Sequence, residues 1–218
     1  MSTDLLWTGP PSAPVLLLAH GAGAAMDSDW MNRFAALLAD RGIRTARFEF
    51  AYMAARRTGS RKPPPKAETL ADEYRAAVAA ARAVAGGPIA IGGKSMGGRV
   101  ASLIADELHD AGEIEALVCL GYPFHPPGKP EKLRTAHLEH LRTPTLICQG
   151  ERDPFGTRAE VAAYPLSPAI RLVWLGDGEH EFKPRVKISG RTHEQNLVEA
   201  ADAVAAFLRV ENESLDRL

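Results

Sequence analysis

Residues 88–98 read P-I-A-I-G-G-K-S-M-G-G, and two chemistries compete for them. Gly93-Lys94-Ser95 has the ending of a phosphate-binding loop, and Gly93-Lys94-Ser95-Met96-Gly97 matches the G-x-S-x-G turn that presents a serine nucleophile. The phosphate loop needs another glycine five positions before Gly93, and Pro88 stands there. It also needs a long run of free N–H groups, but Ile89-Ala90-Ile91 leads almost directly into Lys94. The nucleophile turn needs a strand, a very tight turn and a helix. Ile89–Gly92 reads as the strand, Ser95 as the turn, and Met96-Gly97-Gly98-Arg99-Val100 as the helix start. A serine in such a turn takes strained dihedral angles, so its neighbours two positions away must be small. Gly93 and Gly97 meet that need. The chemistry expected is attack by Ser95 on a carbonyl.

A serine hydroxyl needs a base within hydrogen-bond reach, and the base needs an orienting carboxylate. In this strand–turn–helix setting the chain order is Ser, then Asp or Glu, then His. Asp153 lies in the turn Gly150-Glu151-Arg152-Asp153-Pro154, just after the apolar run Thr145–Gln149. His180 lies in Gly176-Asp177-Gly178-Glu179-His180, just after Arg171–Leu175. Ser95, Asp153 and His180 are therefore the expected catalytic residues, with Asp177 and Glu151 as weaker candidates for the carboxylate. The oxyanion needs two backbone N–H donors. Met96 supplies one, and Ala22, in His20-Gly21-Ala22-Gly23-Ala24, is assigned as the other, with Gly23 beside it. The same stretch falls short of a dinucleotide fingerprint, because Met26 occupies the third glycine position. This chemistry needs neither a metal nor an organic cofactor.

Those residues must be positioned by a scaffold. Short apolar runs suggest strands at about Leu5–Thr8, Val15–His20, Thr45–Phe50, Ile89–Gly92, Ala116–Leu120, Thr145–Gln149 and Arg171–Leu175. Several are apolar without alternation, as parallel strands covered on both faces are. Helical spacing predicts helices over Trp30–Asp40, over Glu68–Ala85 (Leu70, Tyr74, Ala77, Val78, Ala81 and Val84), over Met96–His109, and through Leu197, Ala201, Val204, Ala205 and Leu208. The alternation predicts an α/β fold: one domain over residues 1–218 with a mostly parallel, doubly wound sheet of about seven strands. Two segments interrupt it. Ala54–Lys66 is basic and Pro-rich, and its Arg56, Arg57, Arg61 and Lys62 read as a solvated loop, with attraction of an acidic substrate as the alternative. Residues 122–141 form a short lid-like stretch, and its Tyr122 and His125 are assigned to the substrate pocket. Both segments follow strands, so both fall at the carboxyl edge, where open α/β sheets bind ligands.

Composition sets outer limits. Apolar residues make up 45% of the 218, enough for a substantial core, and the net charge of −1 gives no global field toward nucleic acid or anionic membranes. Cys119 and Cys148 sit inside apolar runs and read as buried core residues. His109, His137, His140 and His193 fall on predicted helices or their flanks and read as surface residues. The opening M-S-T-D-L-L-W-T-G-P has no basic segment followed by a long apolar core, so a cytoplasmic protein is expected. The expected partner is a small acyl substrate, with no nucleic acid and no membrane; nothing bears on protein partners. Lys94 adjoins Ser95: activation of the serine or anion binding stands beside a surface role or a supporting role behind the site.

With these residues in place, the chain resembles the α/β-hydrolase superfamily from Val15 to Leu208. More narrowly it resembles a small dienelactone-hydrolase-like branch, whose animal relatives include a subunit of the non-specific lethal chromatin complex. The resemblance rests on H-G-A-G-A (20–24), G-G-K-S-M-G-G-R (92–99), L-G-Y-P-F-H-P-P-G-K-P (120–130), Q-G-E-R-D-P-F-G (149–156) and G-D-G-E-H (176–180). It implies the α/β-hydrolase fold with a minimal lid and a Ser95–Asp153–His180 triad. True dienelactone hydrolases carry Cys where this chain has Ser95, so their substrate is not implied. The expected activity is hydrolysis of a small ester or related acyl substrate through an acyl-enzyme. The alternative is a catalytically silent interaction module that keeps the fold.

Overall fold

The computed structural model describes residues 4–60 and 62–215, with side chains described through Val210. Its strands are β1 (Leu6–Thr8), β2 (Val15–Ala19), β3 (Arg44–Phe48), β4 (Ile89–Lys94), β5 (Ile114–Leu120), β6 (Thr145–Gly150) and β7 (Ile170–Leu175). They form a seven-stranded sheet in the order β1-β3-β2-β4-β5-β6-β7. Only β1 is antiparallel, running against β3 at the sheet edge. The helices are α1 (Asp29–Ala39), α2 (Ala51–Arg57), α3 (Ala71–Ala85), α4 (Met96–Asp110), α5 (Arg158–Val161), α6 (Val186–Ser189) and α7 (His193–Leu215). Among the described residues no helix is long and apolar enough to cross a membrane.

The unbroken apolar strands are explained by two cores. Successive side chains of a strand point to opposite faces. On β2, Leu17 and Ala19 join a core with α3 and α4 residues such as Tyr74, Val78, Val100 and Ile104. Leu16 and Leu18 face the other way, onto Phe34 and Leu38 of α1 and Ala201 and Val204 of α7. Strands covered on both faces bury almost every position, so β2, β4, β5 and β6 are buried throughout and largely apolar, and the few polar residues in them, Lys94, Glu115, Thr145 and Gln149, are buried with the rest. Cys119 and Cys148 lie in these strands, unpaired and buried. Burial pushes both thiols up, that of Cys148 to about 12.

Several expectations change in detail. Val84 fits the apolar spacing of α3 but is exposed, because the helix leaves the sheet before its last turn. The first turn of the predicted Glu68–Ala85 helix is a separate 3-10 turn, Ala67–Leu70. The irregular Ala54–Lys66 segment begins inside α2. Its Arg56 lies over the Tyr52 ring and Arg57 is paired with Glu49 and Asp27. Arg61 lies outside the described residues. Stretch 122–141 is anchored at both ends by buried Tyr122, Phe124, Thr135 and Leu138, while residues 127–133 between them are exposed.

Strand order fixes where a ligand can sit. From β2 the chain winds outward to β3, then returns to place β4 on the other side of β2. Connections leave the carboxyl ends of β2 and β4 in opposite directions there, which opens a crevice. Ala19 and Gly93 are register partners across these two strands. The loop after β2 and the turn after β4 are thereby brought together.

Candidate active site

Ser95 is the residue between β4 and α4, with φ 51° and ψ −117°. That positive φ is costly for a residue with a side chain, and close packing around the turn enforces it. A Cβ on Gly93 would stand 2.5 Å from the Gly97 carbonyl carbon, and one on Gly97 would stand 2.6 Å from the Ala19 and His20 carbonyl oxygens. Glycine at both positions lets β4, α4 and the loop after β2 meet backbone to backbone.

The three residues expected from the sequence come together. His180 Nε2 is 2.9 Å from Ser95 Oγ, and His180 Nδ1 is 2.8 Å from Asp153 Oδ2. They are 85 and 27 positions apart in the chain. Asp153 is fully buried and its oxygens are otherwise met by donors: the Phe155 N–H at 2.9 Å and Gln149 Nε2 at 3.0 Å. A carboxylate so placed accepts from Nδ1–H, and the Nε2 lone pair is left facing the Ser95 hydroxyl. The Phe155 ring packs against the imidazole, centroids 4.3 Å apart.

The weaker carboxylate candidates are engaged elsewhere. Asp177 is held by Arg152 at 2.8 Å and by Arg185, and these partners keep its carboxyl well below the usual range. Glu151 pairs with Arg158 and accepts from the Asp177 N–H.

Ala22 and Met96 border the space in front of Ser95. Met96 is the first residue of α4, where N–H groups have no partner within the helix and the helix dipole favours negative charge. The loop carrying Ala22 is held by its carbonyls. Tyr52 of α2 donates its hydroxyl to the Ala22 oxygen at 3.2 Å. His20 accepts the Phe50 N–H on Nε2 at 3.2 Å, so its proton is on Nδ1, which donates to the Gly21 oxygen at 2.7 Å. Burial pushes the His20 pKa down, in keeping with this neutral form.

Lys94 is buried, which removes the surface role and leaves the supporting one among the readings given for it. Its Nζ donates to the His180 carbonyl oxygen at 2.9 Å, pairs with Glu181 at 3.1 Å and lies over the Trp30 ring. Burial pushes its pKa down while Glu181 pulls it back up. Lys94 thus ties the residue before Ser95 to the loop carrying His180.

Two cavities meet at Ser95. One, of about 360 Å³, is lined by Gly21, Trp30, Met31, Lys94, His180 and Glu181 among others. The second, of about 450 Å³, is lined by Pro64, Pro65, Met96, Arg99, Pro123 and Arg134 among others. Tyr122 and His125, expected in the substrate pocket, line neither. Tyr122 is fully buried, its hydroxyl donating to the Arg134 oxygen. His125 is buried against Pro126 and Glu160. Both follow β5 directly, where apolar packing under the 122–141 stretch draws them inward.

Sequence reasoning passed over Gln149, Tyr52 and Asn196. Gln149 lies in a buried strand, where a polar residue needs partners; that was the available signal. Asn196 of α7 donates to the Gly176 and Phe182 oxygens and so closes both ends of the His180 loop. His137, expected at the surface, is half-buried, 2.8 Å from Ser102 Oγ, and burial pushes its pKa down to about 4.

Comparison with known proteins adds to this geometry. Residues 12–209 match the sequence profile of an alpha/beta hydrolase domain family. The structure is similar to that of a dienelactone hydrolase from Anabaena variabilis ATCC 29413 (TM-score 0.71, 21% identity, covering 95% of this chain and 91% of that one). It is similar to Est1E from Butyrivibrio proteoclasticus (0.70, 15%, covering 97% and 95%). It is also similar to an alpha-beta serine hydrolase homologue from Coxiella burnetii (0.69, 17%, covering 94% and 90%). At these identities the likeness shows the fold. No match to a curated protein sequence was found.

Proposed function

The chain belongs to the alpha/beta hydrolase domain family, and from that premise we propose that it is a serine hydrolase cleaving a small ester or related acyl substrate. The observation that carries this reading is the continuous chain Asp153 Oδ2–His180–Ser95 Oγ, with both links at 2.8–2.9 Å. His180 takes the Ser95 proton as Oγ attacks the carbonyl carbon. Asp153 holds the imidazole orientation and stabilises its positive form. The N–H groups of Met96 and Ala22 receive the oxyanion. His180 then passes the proton to the leaving oxygen, an acyl-Ser95 ester remains, and water activated by the same histidine releases the acid. Three of the solved structures described above support the class, since each carries this fold and two are named as hydrolases.

The test is intact mass after exposure to a fluorophosphonate, with Ser95→Ala as control. One adduct on the wild type and none on the variant is the expected result. Short-chain esters should then be cleaved, with Ser95→Ala slower by at least about 1000-fold. A folded wild type that takes no adduct would overturn the proposal and favour a non-catalytic interaction role.

A further inference from the structure

We infer that the 450 Å³ cavity beside Ser95 is the acyl pocket and that it takes an acyl group ending in a carboxylate, so that the substrates are half-esters of dicarboxylic acids. The inference rests on the serine-hydrolase reading given above and adds to it which side of the substrate sits where and what charge it carries.

The two sides can be told apart by the proton. The leaving oxygen must receive its proton from His180, so the leaving group departs on the histidine side. His180 lines the 360 Å³ cavity with Trp30, Met31 and Lys94. The other cavity is lined by Ser95, Met96 and Ala22 but not by His180. Once the leaving group is assigned to the first, the second is left for the acyl chain.

Its walls are cationic. Lys66, Arg99 and Arg134 line it against one carboxylate, Glu68. Glu68 pairs with Arg99, and the Arg99 Nε is buried without an acceptor. Among the described residues none accepts a hydrogen bond from the Arg134 guanidinium or pairs with it, although its backbone is fixed at both ends. Its N–H donates to Phe124 at 2.8 Å and its oxygen accepts from Tyr122 at 3.0 Å. Burial, and then the neighbouring Arg99 charge, push the Arg134 pKa down. An anion in the cavity would offset the Arg99 charge felt by Arg134, and a planar carboxylate fits guanidinium donor geometry. Arg99 follows Ser95 by one helical turn, its N–H bonded to the Ser95 oxygen at 3.1 Å. The anion site and the nucleophile are therefore built on one rigid element. Arg56 and Arg57, for which attraction of an acidic substrate stood only as the alternative to a solvated loop, line neither cavity.

The test compares two esters with one leaving group and nearly one length, 4-nitrophenyl hydrogen adipate and its uncharged methyl ester. The wild type should prefer the half-ester by roughly tenfold or more in kcat/KM, as expected for hydrogen bonds to a charged group. Arg134→Gln should reduce that ratio toward one, Arg134→Lys should restore part of it, and added salt should lower it. Equal or better cleavage of the methyl ester by the wild type overturns the inference. A separate readout covers an inactive chain: calorimetry of adipate and of inorganic phosphate against Ser95→Ala. Adipate binding that is lost in Ser95→Ala/Arg134→Gln supports the pocket even if no ester is cleaved, in which case the hydrolase reading alone fails. Absence of adipate binding, or binding of phosphate alone, overturns the carboxylate assignment.

Discussion

Gln149 carries more of the site than its neutral side chain suggests. Its Oε1 accepts the Tyr122 N–H at 2.7 Å, and its Nε2 lies 3.0–3.3 Å from Asp153 Oδ2, the Tyr122 oxygen and the Gly156 oxygen. Leucine fills a similar volume and makes none of these bonds. Each buried polar group left without a partner costs about 1–3 kcal/mol. We expect Gln149→Leu to lose about 3 kcal/mol or more in urea unfolding and to slow fluorophosphonate labelling, because Asp153 loses one of its fixed donors. Tyr52 acts at the same scale on the other side of Ser95. Tyr52→Phe removes the hydroxyl that holds the loop carrying Ala22. Its kcat on a short-chain ester should fall by less than the ~100-fold that loss of an oxyanion donor costs, with KM little changed.

The strand–Ser–helix turn is the element on which the site depends. Its positive φ is sustained by contact of three backbones, and only glycine permits that contact at 93 and 97. Gly97→Ala would set a methyl 2.6 Å from two carbonyl oxygens, so α4 must shift away from β2. The expected result is loss of labelling together with a fall in Tm. Gly87→Ala is the contrast, since nothing lies within 4 Å of its added methyl. It should stay within about 0.5 kcal/mol of the wild type and label normally. Besides its own turn bonds, the His180 loop is tied to α7 and β4, through Asn196 and Lys94 respectively. A loop after an edge strand needs such ties if it is to hold an imidazole within reach of Ser95.

At the scale of the whole molecule, two half- to fully buried histidines contribute to the response to acid. His137 is pushed down to about 4, mainly by burial and then by Arg99, and His20 is pushed down by burial. The unfolded chain takes up protons at their ordinary value near 6.5, which the folded chain resists. Between about pH 6.5 and 4, acid therefore favours the unfolded state, and stability falls as pH is lowered through that window. Above it the two histidines are neutral in both states and add no pH dependence. His137→Gln should lose less Tm than the wild type between pH 7 and pH 5, which parallel thermal melts at the two values would measure.

The alternation of apolar runs with helical spacing was enough to predict a seven-stranded, mostly parallel sheet, because strands buried on both faces are apolar at nearly every position. The order of Ser95, Asp153 and His180, each just past a strand, was legible for a related reason: parallel strands bring their carboxyl ends to one edge. The rest depended on residues far apart in the chain. Lys94 could be read as activating Ser95 or binding an anion, as a surface residue or as a support behind the site, until tertiary structure set it against Glu181 and Trp30. His125 and Tyr122 sat in a Pro-rich stretch that read as a lid, and packing turned both inward. Arg99 and Arg134 carry no shared motif, and only the fold brings their guanidinium groups to one cavity. A local pattern fixes which face of an element is buried, because that depends on spacing within the element. It does not fix which side chains of different elements share a cavity, because that depends on how those elements pack.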